Sequence, residues 1–165
     1  MLKYLMCLFF GLNFLSPFVP RAEGKINVSN MKTYVLRLSP GDDPKAKLQT
    51  FVNENNLKAA VVLSAVGSLT KAVIRYANAD TPATLSGHFE IVSMSGTLGS
   101  TSGSHLHLSV SDSTGKTLGG HLMDGSVIYT TLEISIGALT DMEFKRELDP
   151  ATTFKELKVY PLIPK

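Results

Sequence analysis

The sequence predicts an α+β domain, a largely antiparallel β-sheet with one main helix. Three observations lead there. A single segment, after Asp43-Pro44, carries apolar residues at helical spacing. Roughly seven or eight other segments are short and β-rich, and turn-forming residues separate them at hairpin-like intervals. At 165 residues and 44% hydrophobic content, the chain is long enough for one ordinary core and short for two.

Residues 32–38 alternate, with Tyr34, Leu36 and Leu38 on one face and Thr33, Val35 and Arg37 on the other; Ser39-Pro40-Gly41 stops this strand. Asp43 fits an N-cap and Pro44 the first helical position, and Leu48, Phe51 and Val52 follow on one helical face until Asn55-Asn56. Residues 59–66 form an apolar run expected to be a buried strand closed by Gly67-Ser68. A separate strand is expected over 71–76, then a polar loop over 78–86, then a strand over 88–95 closed by Gly96. Residues 99–103 are a small-residue loop. Residues 105–110 and 116–123 read as a hairpin. Residues 127–136 form a long alternating strand with Ile128, Leu132, Ile134 and Ile136 on its apolar face. A further strand is expected over 141–147, and 152–165 is read as a tail with a short strand or turn. The apolar surface of 59–66 and 127–136 exceeds what one helix can cover, so self-association is expected.

The one constellation that carries chemistry lies in the hairpin. His105 and His107 are two apart on a strand and share a face. A three-residue loop Ser113-Thr114-Gly115, with glycine in the left-handed position, would pair Asp112 with Lys116 and set His107 opposite His121. Three imidazoles would then converge, a ligand set suited to zinc or a similar divalent metal with a fourth position open. Such an ion could lower the pKa of bound water to about 7. A two-residue turn would instead send His121 to the other face. Without a metal, the same residues read as polar groups on a solvated or intersubunit strand face. Glu133 and Glu90 are the candidate catalytic carboxylates, as proton acceptors or as partners orienting a histidine; each also reads as an ordinary strand carboxylate. Gly119-Gly120 permits close backbone approach or a bulge. His88, alone on its strand, reads as structural.

Composition excludes several alternatives. Cys7, the one cysteine, lies in the apolar leader, so the domain has neither disulfide nor thiolate ligand. Nucleophile-elbow, phosphate-loop and dinucleotide-binding glycine motifs are absent. The formal charge is +2; without residues 1–24, 14 basic residues face 13 acidic ones, or +1. No basic run exceeds two residues and no Arg-Gly-Arg-Pro minor-groove hook occurs, so intrinsic DNA binding is not expected.

Residues 1–24 have the layout of a secretory signal peptide: Lys3, an apolar stretch over 5–15, then Pro17 and Pro20, with a poor cleavage end. Asn27-Val28-Ser29 is a glycosylation pattern relevant only to the secretory route. The alternative is translation from Met31, giving a cytoplasmic or nuclear protein. No stable membrane span is expected once the leader is removed. The division is therefore leader 1–24, linker 25–31, domain 32–160 and tail 161–165.

The run GSHLHLSVSDSTGKTLGGHLMDGSVIYTTLEISI resembles the central motif of the PPC domain (DUF296) family. VLRLSPGDDPKAKLQTFVNENNLKAAVVLSAVGSL, GHFEIVSMSGTL and DPATTFKEL extend the resemblance to about residues 32–160. It implies a compact α+β fold assembled as a homotrimer. His105, His107 and His121 match the positions that hold a metal in the stand-alone type, while the hook-bearing plant nuclear members largely lack them. His88 stands where the family often has Arg. Two functions follow as expectations. One is a metal-dependent protein binding or acting on an unidentified small molecule. The other is a non-enzymatic DNA-associated or protein–protein adaptor module.

Overall fold

The computed structural model describes residues 27–162; the leader 1–24, residues 25–26 of the linker and residues 163–165 lie outside the described residues. In chain order the elements are β1 (Met31–Leu38), α1 (Pro44–Glu54), β2 (Ala60–Arg75), β3 (Ala83–Gly99), β4 (Gly103–Ser111), β5 (Thr117–Leu122), β6 (Val127–Leu139), β7 (Met142–Leu148) and β8 (Lys155–Pro161). The α+β expectation, one helix on a mostly antiparallel sheet, holds.

Six strands form one sheet in the order β1-β6-β2-β3-β4-β5, every pairing antiparallel. β5 then returns to β2 through Ile74↔Leu122 and Arg75↔His121, so β2-β3-β4-β5 close into a ring. Inward-facing residues of these strands meet Leu48 and Val52 of α1, and the core of Leu69, Ile74, Leu98, Leu106, Leu108, Leu122, Ile128, Leu132, Ile134 and Ile136 is at most 1% exposed. The predicted apolar face of β6 is thus the face that is buried. β7 and β8 form a separate two-stranded sheet, whose Met142 and Phe144 pack with Ala59 as a second, smaller core.

Two expectations are corrected. The strands foreseen over 59–66 and 71–76 are one, because Gly67 does not end the chain direction: it lets β2 pass close against β6, where a Cβ would collide with Thr131 O and lie 2.8 Å from Leu132 Cα. The loop over 78–86 is shorter than foreseen, since β3 begins at Ala83 and continues through Gly87 and Gly96 to Gly99. Of the short strand or turn expected over 152–165, the strand is present as β8, paired with β7 from Leu148↔Lys155 to Met142↔Pro161. In the first two cases glycine marks bends and close approaches in long strands, which look like stops when read locally.

The helix starts as its sequence dictates. The Asp43 carboxylate accepts hydrogen bonds from Lys45 N (2.9 Å) and Ala46 N (3.2 Å) through Oδ1, with Pro44 buried at the first position. Its Oδ2 accepts from Gly125 N at 2.6 Å, tying the helix to the β5–β6 turn. Asp43→Ala is expected to cost about 1–2 kcal/mol, and Asp43→Asn somewhat less, because the amide oxygen still caps the helix while the amide nitrogen cannot accept from Gly125 N. Urea midpoints of the two variants, compared with wild type, check this; equal losses would mean that the bond to Gly125 and the charge, rather than the helix cap, carry the contribution.

Candidate metal centre

The β4–β5 turn sets the site. The Asp112 carboxylate accepts from Thr114 Oγ1 (2.6 Å), Thr114 N (2.8 Å) and Lys116 N (3.1 Å), and Gly115 sits at φ 82° with its N–H on Asp112 O. These bonds, the Thr114 hydroxyl foremost, pull the Asp112 carboxyl below its usual pKa. Asp112 N donates to Lys116 O, and the register continues through Ser111↔Thr117 to His107↔His121, as the three-residue loop requires. Leu106 and Leu108 point inward and are buried, so His105 and His107 point outward. Across β3, His105 lies opposite Thr97 and His107 opposite Ser95.

The three imidazoles form a triangle with ring centroids 5.3 Å (His105–His107), 4.8 Å (His105–His121) and 5.6 Å (His107–His121) apart. One nitrogen from each can be chosen so that all lie within 4.8 Å of one another. Zinc–nitrogen bonds of about 2.0–2.1 Å place tetrahedral ligands about 3.3 Å apart, so small side-chain rotations would close the set. The donor chemistry fits a zinc-class ion: three borderline nitrogen ligands and no hard oxygen cage.

Electrostatics favour the ligating form. Burial, followed by the charges of His105, Arg75, His107 and Lys45, pushes the His121 pKa down to about 4. Burial and the Arg146 guanidinium lower His105, with Glu156 opposing. Both rings are therefore neutral at neutral pH, with a lone pair to offer that no proton contests.

Gly119 and Gly120 are required by close approach. A Cβ at Gly119 would lie 2.6 Å from Ser109 Oγ, and one at Gly120 2.6 Å from Arg75 O. The second contact is where β5 returns to β2 beside His121.

The structure does not bring the candidate carboxylates to this triangle. Glu90 is exposed opposite Ser68 and Ser111, about 15 Å along β3 from Ser95 at the usual rise per residue. Glu133 is exposed opposite Arg37 and Val66, on β6. His88 stacks on Tyr129 with centroids 4.3 Å apart, away from the triangle. The charged neighbours are instead Arg75, directly opposite His121, and Arg146 with Glu156 from β7 and β8. Arg146 donates to Thr97 Oγ1 at 3.1 Å, beside His105. No local pattern signals these residues; they arrive by the β2–β5 return and by the docking of the small sheet.

A ring-closed antiparallel sheet bearing an outward three-histidine patch defines the class. The chain belongs to the family described as the Plants and Prokaryotes Conserved (PCC) domain, whose model matches residues 25–140. This is the PPC family that the sequence resembles. The bifunctional protein GlmU of Synechococcus sp. (strain JA-2-3B'a(2-13)) is 44% identical over 143 residues, which is 87% of this chain and 22% of that protein. The chain thus spans about a fifth of the length of that curated relative. A hypothetical protein from Salmonella cholerae-suis (Salmonella enterica) has a solved structure 42% identical with TM-score 0.81, the match covering 83% of this chain and 99% of that one. A metal-containing protein from Archaeoglobus fulgidus is 26% identical with TM-score 0.67, covering 79% and 98%. A structure from Bacteroides thetaiotaomicron, provisionally described as DNA-binding, is 19% identical with TM-score 0.66 over 80% and 98%, which speaks to the fold alone.

Proposed function

We propose that the chain holds one zinc-class divalent metal on His105, His107 and His121, with a coordination position left for a small molecule. The observation that carries this reading is the triangle itself: three outward imidazoles on one hairpin, with nitrogens within 4.8 Å and two of the rings held neutral. The Archaeoglobus relative, described as metal-containing, adds support. A metal there would act as a Lewis acid toward an oxygen of the bound molecule. The protein's share is to fix the three rings through the β3–β4 and β4–β5 registers and to hold His105 and His121 below the usual histidine pKa. Elemental analysis of untagged protein is expected to find about one such metal per chain. His107→Ala and His121→Ala should each lose it while remaining folded; full metal content in both variants would sink the assignment.

We also propose that the domain works as a homo-oligomer, a trimer by family resemblance. Val35, Leu63, Val66, Val92 and Tyr129 are 45–77% exposed on β1, β2, β3 and β6. Val35 and Val66 share a face with Ser135 and Glu133 of β6, the face turned away from the core. Burying such side chains is worth about 25 cal/mol per Å², so a second copy is a natural cover. Light scattering at micromolar concentration is expected to give three times the chain mass; a monomer mass would refute it.

A further inference from the structure

The triangle is flanked by two guanidiniums that make no ion pair among the described residues. Arg75 pairs across the β2–β5 return with His121, and directly opposed residues on antiparallel strands have Cβ atoms roughly 4.5–5.5 Å apart on one face. Arg146 reaches the opposite side through its bond to Thr97, the residue facing His105. Among the described residues neither arginine joins an ion pair, Arg75 donates no side-chain hydrogen bond, and Arg146 donates only to Thr97. Lys45, the other nearby cation on the His121 side, is paired with Asp124 at 3.2 Å.

Two clefts meet at the histidines. One, of about 360 Å³, runs from His105 and His107 to Arg146; the other, of about 350 Å³, runs from the same histidines and His121 to Arg75. Among the described residues Glu156 is the one carboxylate lining either, and it accepts a hydrogen bond from Thr152 Oγ1 at 3.0 Å. Lys155 adds a cation beyond Arg146. Imidazoles that ligate a metal are neutral and offset none of its charge, so a divalent cation on them would share this patch with two arginines against one carboxylate. Such an excess is costly where water is partly excluded, and it is relieved when an anion binds. A guanidinium presents five donors in a planar fork matched to carboxylate and phosphate oxygens, and here nearly all remain unused.

We infer that the site takes a small molecule bearing an oxyanion, carboxylate or phosphate, gripped between Arg75 and Arg146 over the histidine triangle. The inference names the ligand class for the metal reading above and rests on that reading for the open coordination position. The arginines alone define the anion grip.

The test is calorimetric titration of the metal-loaded full chain with inorganic phosphate and, separately, with succinate, at neutral pH and low ionic strength. Binding of at least one anion is expected, and which of them binds tells phosphate from carboxylate. Arg75→Met and Arg146→Met should each weaken it by about tenfold or more with metal content unchanged. If a Met variant misfolds, Arg75→Lys or Arg146→Lys keeps the charge but loses the fork and should show a smaller weakening. No binding of either anion, or binding by all the arginine variants as tight as wild type, overturns the inference. If elemental analysis finds no metal, the histidine reading alone has failed. The same titrations on the metal-free chain then decide: arginine-dependent binding sustains the anion grip, and its absence overturns it.

Discussion

Gly96→Ala is expected to destabilise the domain by about 3–5 kcal/mol and to weaken metal retention at the same time. Gly96 sits at φ 140°, in a region that L side chains rarely adopt, opposite Leu106 in the β3–β4 pairing. A Cβ there would fall on His105 O and lie 2.9 Å from Leu106 Cα. Both obstacles are backbone, so no rotamer change relieves them; β4 must move off β3. His105 is carried by the displaced segment, which couples the stability loss to the ligand triangle. Gly103→Ala supplies the comparison. Gly103 also has a positive φ of 73°, but an added methyl would meet no atom within 4 Å, so only conformational strain of about 1–2 kcal/mol is expected. Urea unfolding and elemental analysis on the pair check both halves. A Gly96→Ala protein with wild-type midpoint would mean that the strands separate more easily than their packing suggests.

Leu106→Ala is expected to cost about 2–5 kcal/mol, yet to leave metal stoichiometry intact wherever the variant is folded. Leu106 stands between His105 and His107 in sequence but on the opposite face, fully buried among Leu98, Leu108 and Leu132. Its truncation removes contacts and leaves a cavity on the core side of β4. The strand pairing that aims the imidazoles is made of backbone hydrogen bonds to β3 and β5, which the truncation does not touch. Metal loss at a temperature where circular dichroism reports a folded chain would show that core packing, and not register alone, positions the ligands.

The contrast between these two variants also marks what the sequence makes legible. The histidine triangle is readable because its logic is local. Alternation on one strand fixes His105 with His107, and a loop of Ser113, Thr114 and Gly115 fixes the register that delivers His121. The helix start is readable for the same reason, Asp43 and Pro44 being adjacent to what they cap. The glycines mislead: Gly67 serves a strand distant in sequence, its requirement set by Thr131, and Gly96 meets His105 of the next strand only once β4 is paired on β3. Glu133 is a candidate from the polar face of its strand and Glu90 as a carboxylate in an otherwise apolar strand, and neither observation says which strands neighbour the histidines; the sheet order places both elsewhere. Arg75 and Arg146 escape a reading of the sequence because each reaches the site by long-range pairing or docking.

The closed ring of β2, β3, β4 and β5 bears on how the chain reaches this structure. β2 must meet residues as far along as Leu98, His121 and Ala138 before its pairings are complete. Contacts so remote incur loop-closure entropy before they return any stability, which places such topologies among slow folders, in the range of about milliseconds to seconds. The β4–β5 hairpin has no such delay, since isolated hairpins form in about 1–10 μs. His107 and His121 face each other within that hairpin, whereas His105 is paired only with Thr97 of β3, so the third ligand takes its place only when β4 docks on β3.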